Sequence, residues 1–100
     1  MPKKAPLSMA PEAAEALATQ ALTFIAGDSE RLGRFLAVTG VGPAEIREVA
    51  REPGFLTGVM DHLASDERLL LAFCSESGIS PADFAKAHTA LGGHWERETP

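Results

Sequence analysis

The sequence predicts an all-α fold, a compact irregular bundle of five or six short helices. No stretch alternates apolar and polar residues over the length of a strand, tyrosine is absent, and β-branched residues are sparse. Alanine and leucine, which both favour helices, are abundant. Glycines and prolines separate short apolar stripes, which indicates irregular packing of short helices rather than a long four-helix bundle.

The first half of the chain carries start and stop signals for three helices. Pro11 suits the first turn of a helix, and an apolar stripe follows it as far as Gly27. Asp28 is a suitable N-cap for a second helix, which Gly40 ends. Pro43 opens a short third helix. The three predicted helices cover about residues 10–26, 29–39 and 43–51.

The second half predicts three further helices, over about residues 55–64, 67–77 and 81–91. Asp66 is the expected cap of the fifth helix, and Ser80 followed by Pro81 marks the start of the sixth. Residues 69–74 are apolar nearly all round, so we expect the fifth helix to be central. The sequence leaves open whether the fourth and fifth helices are continuous through Ser65.

Length, charge and cysteine content bound the class of protein. The 100 residues suffice for one core, so we predict a single helical domain over residues 10–92. A flexible lead-in is expected at residues 1–9 and a tail at residues 93–100. The net charge of -5 disfavours nucleic acids and anionic membranes, whose phosphates repel an acidic chain. A single cysteine and an N-terminus without an apolar signal-peptide core predict a cytoplasmic protein.

Several segments, in their order and spacing, resemble a family of small bacterial proteins catalogued as domain of unknown function 3572. The resemblance covers roughly residues 10–93 and implies a small all-helical bacterial protein, with no activity or catalytic residue to transfer. The segments that carry it are Arg34 to Gly40, Phe55 to Leu63, Asp66 to Phe73, Gly78 to Pro81, and Ala90 to Gly93.

The turn Gly40-Val41-Gly42 is similar to the hairpin of the helix-hairpin-helix DNA-binding motif. Its glycines allow backbone N–H groups to approach a phosphate, and the next helix adds its positive end. Arg47 and Arg51 lie one turn apart on that helix and are candidate phosphate contacts. The turn therefore predicts a nucleic-acid interface at Gly40, Gly42, Arg47 and Arg51.

Two departures weigh against this interface. Ile46 stands where the motif has a small residue that lets the two helices pack closely. Glu45, Glu48 and Glu52 crowd the same short helix and repel phosphate. The competing interpretation is that Gly40 ends one helix and the following residues start the next.

Asp61, His62, Asp66 and Glu67 form a small cluster of side chains of metal-ligand type. Zinc sites need three or four converging ligands, and no spacing such as His-Glu-x-x-His is present. We expect a solvated face and a helix cap here, with no metal. No cofactor-binding motif is found elsewhere, so no cofactor is expected.

Cys74 and His88 are the one pair with catalytic potential. A cysteine nucleophile needs a nearby base and a lowered thiol pKa. Cys74 lies in an apolar run and His88 on the apolar stripe of the sixth helix, which favours inert packing of both. We therefore predict that the protein is not an enzyme.

Trp95 is the single tryptophan and a candidate anchor for a partner protein, since tryptophan is enriched at binding hot spots. The alternative is that its ring folds back onto the bundle. The sequence as a whole favours a non-enzymatic protein-interaction or regulatory module with an unidentified protein partner. The alternative function is a nucleic-acid-associated module that uses the Gly40-Val41-Gly42 turn.

Overall fold

A computed structural model describes residues 9–92 of the chain. The described residues contain six helices and no strand, which confirms the all-α fold. Trp95 and the tail predicted at residues 93–100 lie outside the described residues, and Met9 is the sole described residue of the expected lead-in. The helices are α1 (Pro11–Ala26), α2 (Ser29–Thr39), α3 (Ile46–Val49), α4 (Pro53–Ala64), α5 (Glu67–Ser77) and α6 (Pro81–Ala90).

The predicted capping residues start and stop the helices as expected. Asp28, Asp66 and Ser80 each accept hydrogen bonds of 2.9–3.2 Å from backbone N–H groups in the first turn that follows. Gly40 and Gly78 end α2 and α5 with φ angles of 79° and 69°, in the left-handed region that glycine tolerates best. Because Asp66 caps α5 in an extended conformation, α4 and α5 are separate helices.

The third helix is shorter than the sequence predicts. It spans Ile46–Val49 instead of residues 43–51, and residues 43–45 form turns. No side chain caps its N-terminus, since the carboxylate of Glu45 accepts a hydrogen bond from the backbone of Gly42. The N–H of Glu45 donates to the carbonyl of Gly42 at 3.0 Å, so residues 42–45 form a turn before the helix begins. α4 instead begins early, at Pro53.

The core is organised around α1, not around α5 as the apolar run predicts. Helices α2, α4, α5 and α6 all pack against α1. On α5, by contrast, Phe73 and Cys74 are buried while Leu71 is 48% exposed. The apolar run in α5 does not show which helix carries the small side chains that let neighbouring helices pack closely. The buried residues of α1 are Ala14, Leu17, Ala18, Ala21, Phe24 and Ile25.

Aromatic contacts tie the outer helices to this centre. The ring of Phe73 on α5 packs 5.4 Å from that of Phe24 on α1 and 6.3 Å from that of Phe84 on α6. A second contact joins Phe35 on α2 to Phe55 on α4, edge to face at 5.9 Å. None of the helices described here combines the length and apolarity that crossing a membrane requires.

The central position of α1 makes a prediction about volume. Ala18 is fully buried, so Ala18→Leu adds carbon atoms where no space exists and should lower the free energy of unfolding by about 1–3 kcal/mol. The matched control is Ala16→Leu, on the exposed face of the same helix, which should change it by less than about 0.5 kcal/mol. Urea unfolding checks both, and equal effects would contradict the placement of α1.

Candidate functional site

The glycine turn after α2 has its backbone donors bonded within the chain. The N–H of Gly42 donates to Oε1 of Glu45 at 3.1 Å, and the N–H of Val41 donates to Oγ1 of Thr39 at 3.4 Å. Gly40 acts as the C-cap of α2, and its N–H donates to the carbonyl of Leu36 at 2.8 Å. A phosphate at this turn would therefore have to displace the carboxylate of Glu45 from Gly42.

The two arginines of the predicted nucleic-acid interface are both exposed. Arg47 lies in α3, and Arg51 lies in the turn that follows it. Within residues 9–92 neither forms an ion pair. Both lie close in sequence to the glycine turn, but α3 has a single turn and a correspondingly small helix dipole. The interface remains a prediction.

Cys74 and His88 occupy different environments. Cys74 is buried on α5, and burial raises the pKa of its thiol, which disfavours the nucleophilic thiolate. On α6, Nε2 of His88 donates a hydrogen bond to Oδ1 of Asp61 at 2.5 Å, which links α6 to α4. Asp61 lies 27 residues from His88 in sequence, so no local pattern could have indicated this pairing.

A shallow depression lies beside the Asp61–His88 pair and includes Ser65. The three residue types together are those of a hydrolase triad, but the hydroxyl of Ser65 donates to the carbonyl of His62 at 2.8 Å. That hydrogen bond engages the hydroxyl within the end of α4. The depression has no assembled nucleophile, and His88 is best described as a bridge between two helices.

His62 on α4 is the buried polar side chain of the core. Its ring is 8% exposed and meets the edge of Phe35 at 5.1 Å. Both ring nitrogens are buried without a hydrogen-bond partner. Burial lowers the pKa of His62; the carboxylate of Asp66 opposes this shift, and the charge of Arg34 reinforces it.

His62 is one of the residues that line a pocket of about 150 Å³ between α2 and the junction of α4 with α5, which we call the His62 pocket. Asp66 is four residues from His62, but α4 ends between them and Asp66 serves as the N-cap of α5. No group of three or more metal-ligating side chains converges anywhere in the described part of the chain. The other residues of the pocket are Glu30, Arg31, Arg34 and Leu69.

Arg31 lies between this pocket and a neighbouring surface. Its guanidinium stacks 4.0 Å from the ring centre of Phe24 and lies 3.5 Å from the carboxylate of Glu76. Stacking on an aromatic ring and pairing with a carboxylate both hold the charged end of the side chain in place. Arg31 is thus already engaged, although it also lines the His62 pocket.

The exposed side of α1 faces an open groove formed with the end of α5 and the loop that leads to α6. Two adjoining depressions of about 330 and 300 Å³ form it, and Gln20 lines both. We call it the α1 groove. The first part is lined by Thr19, Gln20, Thr23, Phe24, Glu76 and Ser77. The second part is lined by Met9, Ala13, Ala16, Leu17, Gln20, Gly78, Ile79 and Asp83.

Comparison with known proteins identifies one family. Its model, described as "Protein of unknown function (DUF3572)", matches residues 11–94, which confirms the resemblance seen in the sequence. No curated protein matches the chain, and no solved structure matches it.

The buried His62 predicts a loss of stability in mild acid. Its pKa in the folded protein lies below the usual 6.5, so as the pH falls below about 6.5 the unfolded chain takes up a proton that the folded chain does not. The free energy of unfolding should therefore be highest above pH 6.5 and fall below it. His62→Leu should remove this part of the pH dependence. Urea unfolding of both proteins from about pH 5 to pH 8 measures it, and a difference between them that is independent of pH would contradict the assignment.

The buried Cys74 predicts a slow thiol. Because folding both covers the thiol and raises its pKa, its reaction with a thiol reagent at neutral pH should be at least about tenfold slower in the native protein than in urea. The chain has one cysteine, so the measured rate belongs to Cys74. Equal rates in the two conditions would instead indicate an accessible, activated thiol.

Proposed function

The chain belongs to the DUF3572 family of proteins of unknown function, and we propose that it is a non-enzymatic protein-interaction module. The partner is another protein, which presents an amphipathic helix to the α1 groove. One observation carries this proposal, the open and largely apolar groove along the exposed side of the central helix. The single cysteine and the acidic composition favour a cytoplasmic role.

The shape of the α1 groove favours a helix as its occupant. From Ala13 to Phe24 it follows roughly three turns of α1. Ala13 and Ala16 are exposed and carry small side chains, so a second helix can approach the α1 backbone closely. Ile79 is half-buried and adds apolar surface at one end, whereas Leu17 and Phe24 are buried and expose only a small part of their side chains to the groove. Apolar anchors spaced at helical intervals on the partner would fill such a groove.

The acidic side chains at the edges of the groove favour a partner helix that carries positive charge. Glu76 lines one part and Asp83 lines the other, and the side chains are 60% and 53% exposed. Their ion pairs with Arg31 and Lys86 have N···O distances of 3.5 and 4.0 Å. Exposed pairs of this kind contribute little, so the carboxylate of Asp83 is available to a partner, while that of Glu76 would be shared between Arg31 and a cation of the partner. Lysine or arginine flanking the apolar stripe of the partner helix would complement them and the net charge of -5.

A nucleic-acid-associated module is the second candidate function. It draws on the exposure of Arg47 and Arg51 near the Gly40–Gly42 turn. It has the weaker support, because Gly42 already donates its N–H to a carboxylate and three glutamates lie close by in sequence. Its binding would depend steeply on salt, whereas an apolar groove predicts weak salt dependence.

Filling the α1 groove tests the proposed function. Ala16→Arg places a large charged side chain on its floor, while Ala37→Arg makes the same change at an exposed position of α2 that does not line it. Both substitutions exchange one good helix former for another, so both variants should fold. Tagged wild-type protein and the two variants are used to capture partners from nuclease-treated extract of the native cells.

We expect wild type and Ala37→Arg to capture a protein partner in stoichiometric amount. Ala16→Arg should capture at least about tenfold less of that partner, because a large charged side chain excludes it from an apolar groove. A partner bound equally by all three proteins would show that the α1 groove is not the site. Partners that disappear with nuclease would favour the arginines of the second candidate function.

A further inference from the structure

Residues 28–52 comprise α2, the glycine turn and α3, and we call them the α2–α3 arm. We propose that in mild acid this arm separates from α1 and α4 as one unit while α1, α4, α5 and α6 stay packed, and that protonation of His62 drives the opening. The opening is a property of the chain alone, so the proposal does not depend on the proposed function.

The arm is anchored by little buried surface. All of residues 28–52 are described, and Phe35, which is 1% exposed, is the one buried side chain among them. The apolar side chains of α3 are half-buried at most. By comparison, α1 buries six of its 16 residues. Segments with few buried apolar contacts open at a lower free energy than the core, so the arm should open more readily than α1.

Few polar contacts tie the arm to the other helices. Within residues 9–92, one ion pair joins them, that of Arg31 with Glu76 at 3.5 Å, and 60% of the Glu76 side chain is exposed. The side-chain hydrogen bonds of the arm all close within the arm itself. An exposed ion pair contributes little to stability. The arm is therefore held mainly by apolar contacts, of which that of Phe35 is the most deeply buried.

Phe35 contacts two rings of α4, and one of them is the ring of His62. Its ring centre lies 5.9 Å from that of Phe55 and 5.1 Å from that of His62, both nearly perpendicular. The arm thus covers His62, whose two ring nitrogens are buried without a hydrogen-bond partner in the described protein. When the arm separates, water reaches the ring and bonds to the N–H that the closed form leaves unpaired, so opening recovers free energy here.

Charged side chains of both signs line the pocket beside His62. Those from α2 are Glu30, Arg31 and Arg34, and the one from the start of α5 is Asp66. On α4 itself, Asp61 is hydrogen-bonded to His88, and the face that α1 buries is apolar. Two positive and two negative groups offset each other, so burial is the largest influence on the pKa of His62 and lowers it.

Opening and protonation are therefore linked. In the closed form the pKa of His62 lies below its usual 6.5, and in the open form the ring is in water. As the pH falls below about 6.5, the open form takes up a proton that the closed form does not, so acid favours the open form. The uptake of one proton raises the equilibrium constant for opening by up to about tenfold between pH 7.5 and pH 5.5.

Native-state hydrogen exchange of the full-length protein, read by NMR and corrected for the intrinsic pH dependence of exchange, measures the opening constant at each amide. Amides of residues 33–37 report on the arm, and those of residues 18–22 in α1 report on global unfolding. Phe35→Leu and Phe84→Leu form a matched pair, because each replaces a buried phenyl ring, on α2 and on α6. His62→Leu and His88→Gln form a second pair.

We expect the arm amides to open at least about a hundredfold more often than the α1 amides at pH 7.5. Their opening constant should rise about tenfold by pH 5.5, a rise that His62→Leu removes and His88→Gln keeps. Phe35→Leu should raise the opening constants of both sets of amides at least about fivefold. Phe84→Leu should raise that of the α1 amides alone, because α6 stays packed when the arm opens.

Equal opening constants for the two sets of amides would show that the arm opens only when the whole protein unfolds, and would overturn the proposal. An arm that opens equally often at both pH values would overturn the role of protonation, as would a pH dependence that survives in His62→Leu. A Phe84→Leu variant that speeds both sets of amides equally would also contradict a separate opening of the arm.

Discussion

The close packing of four helices against the small side chains of α1 is the constraint on which the rest of the structure depends. Ala14, Ala18 and Ala21 are each fully buried and lie on one face of that helix. Alanine leaves room for a neighbouring backbone to approach, which a larger side chain would prevent. With the core arranged in this way, none of the six helices within residues 9–92 covers the opposite face of α1. The α1 groove is therefore a direct result of how the core is packed.

At the His62 pocket, a polar ring occupies a core position that an apolar side chain could fill. The imidazole ring packs nearly perpendicular to the ring of Phe35 and keeps two polar atoms in the core without partners. The break between α4 and α5 places Asp66, and with it the start of a helix, at the same wall. Buried polar atoms without a partner are a feature that packing alone does not explain.

One side chain connects the two sites. Arg31 lines the His62 pocket, and its guanidinium rests on Phe24 and beside Glu76, both of which line the α1 groove. A stacked and paired arginine is a well-oriented group rather than a mobile surface chain. The apolar α1 groove and the polar His62 pocket thus lie on either side of one well-oriented side chain.

The local structure of this protein follows from short-range signals in its sequence. The caps at Asp28, Asp66 and Ser80 and the left-handed glycines were predictable because each acts on residues within one turn of itself. The length of the third helix was not, because the side chain of Glu45 bonds back to Gly42 instead of capping a helix. Local signals predict how many helices form and where most of them begin and end, and the structure confirms the fold class.

Contacts between residues that are distant in sequence depend instead on how the helices pack together. The apolar run in the sequence predicts that α5 is central. Burial depends, however, on which helices pack against each face, and the face of α1 that carries small side chains lets four helices approach it. His88 pairs with Asp61 across 27 residues, and His62 is buried although it stands among charged neighbours in sequence. The α1 groove and the His62 pocket combine residues from separate helices, whose positions are set by packing among all the helices and by no local pattern.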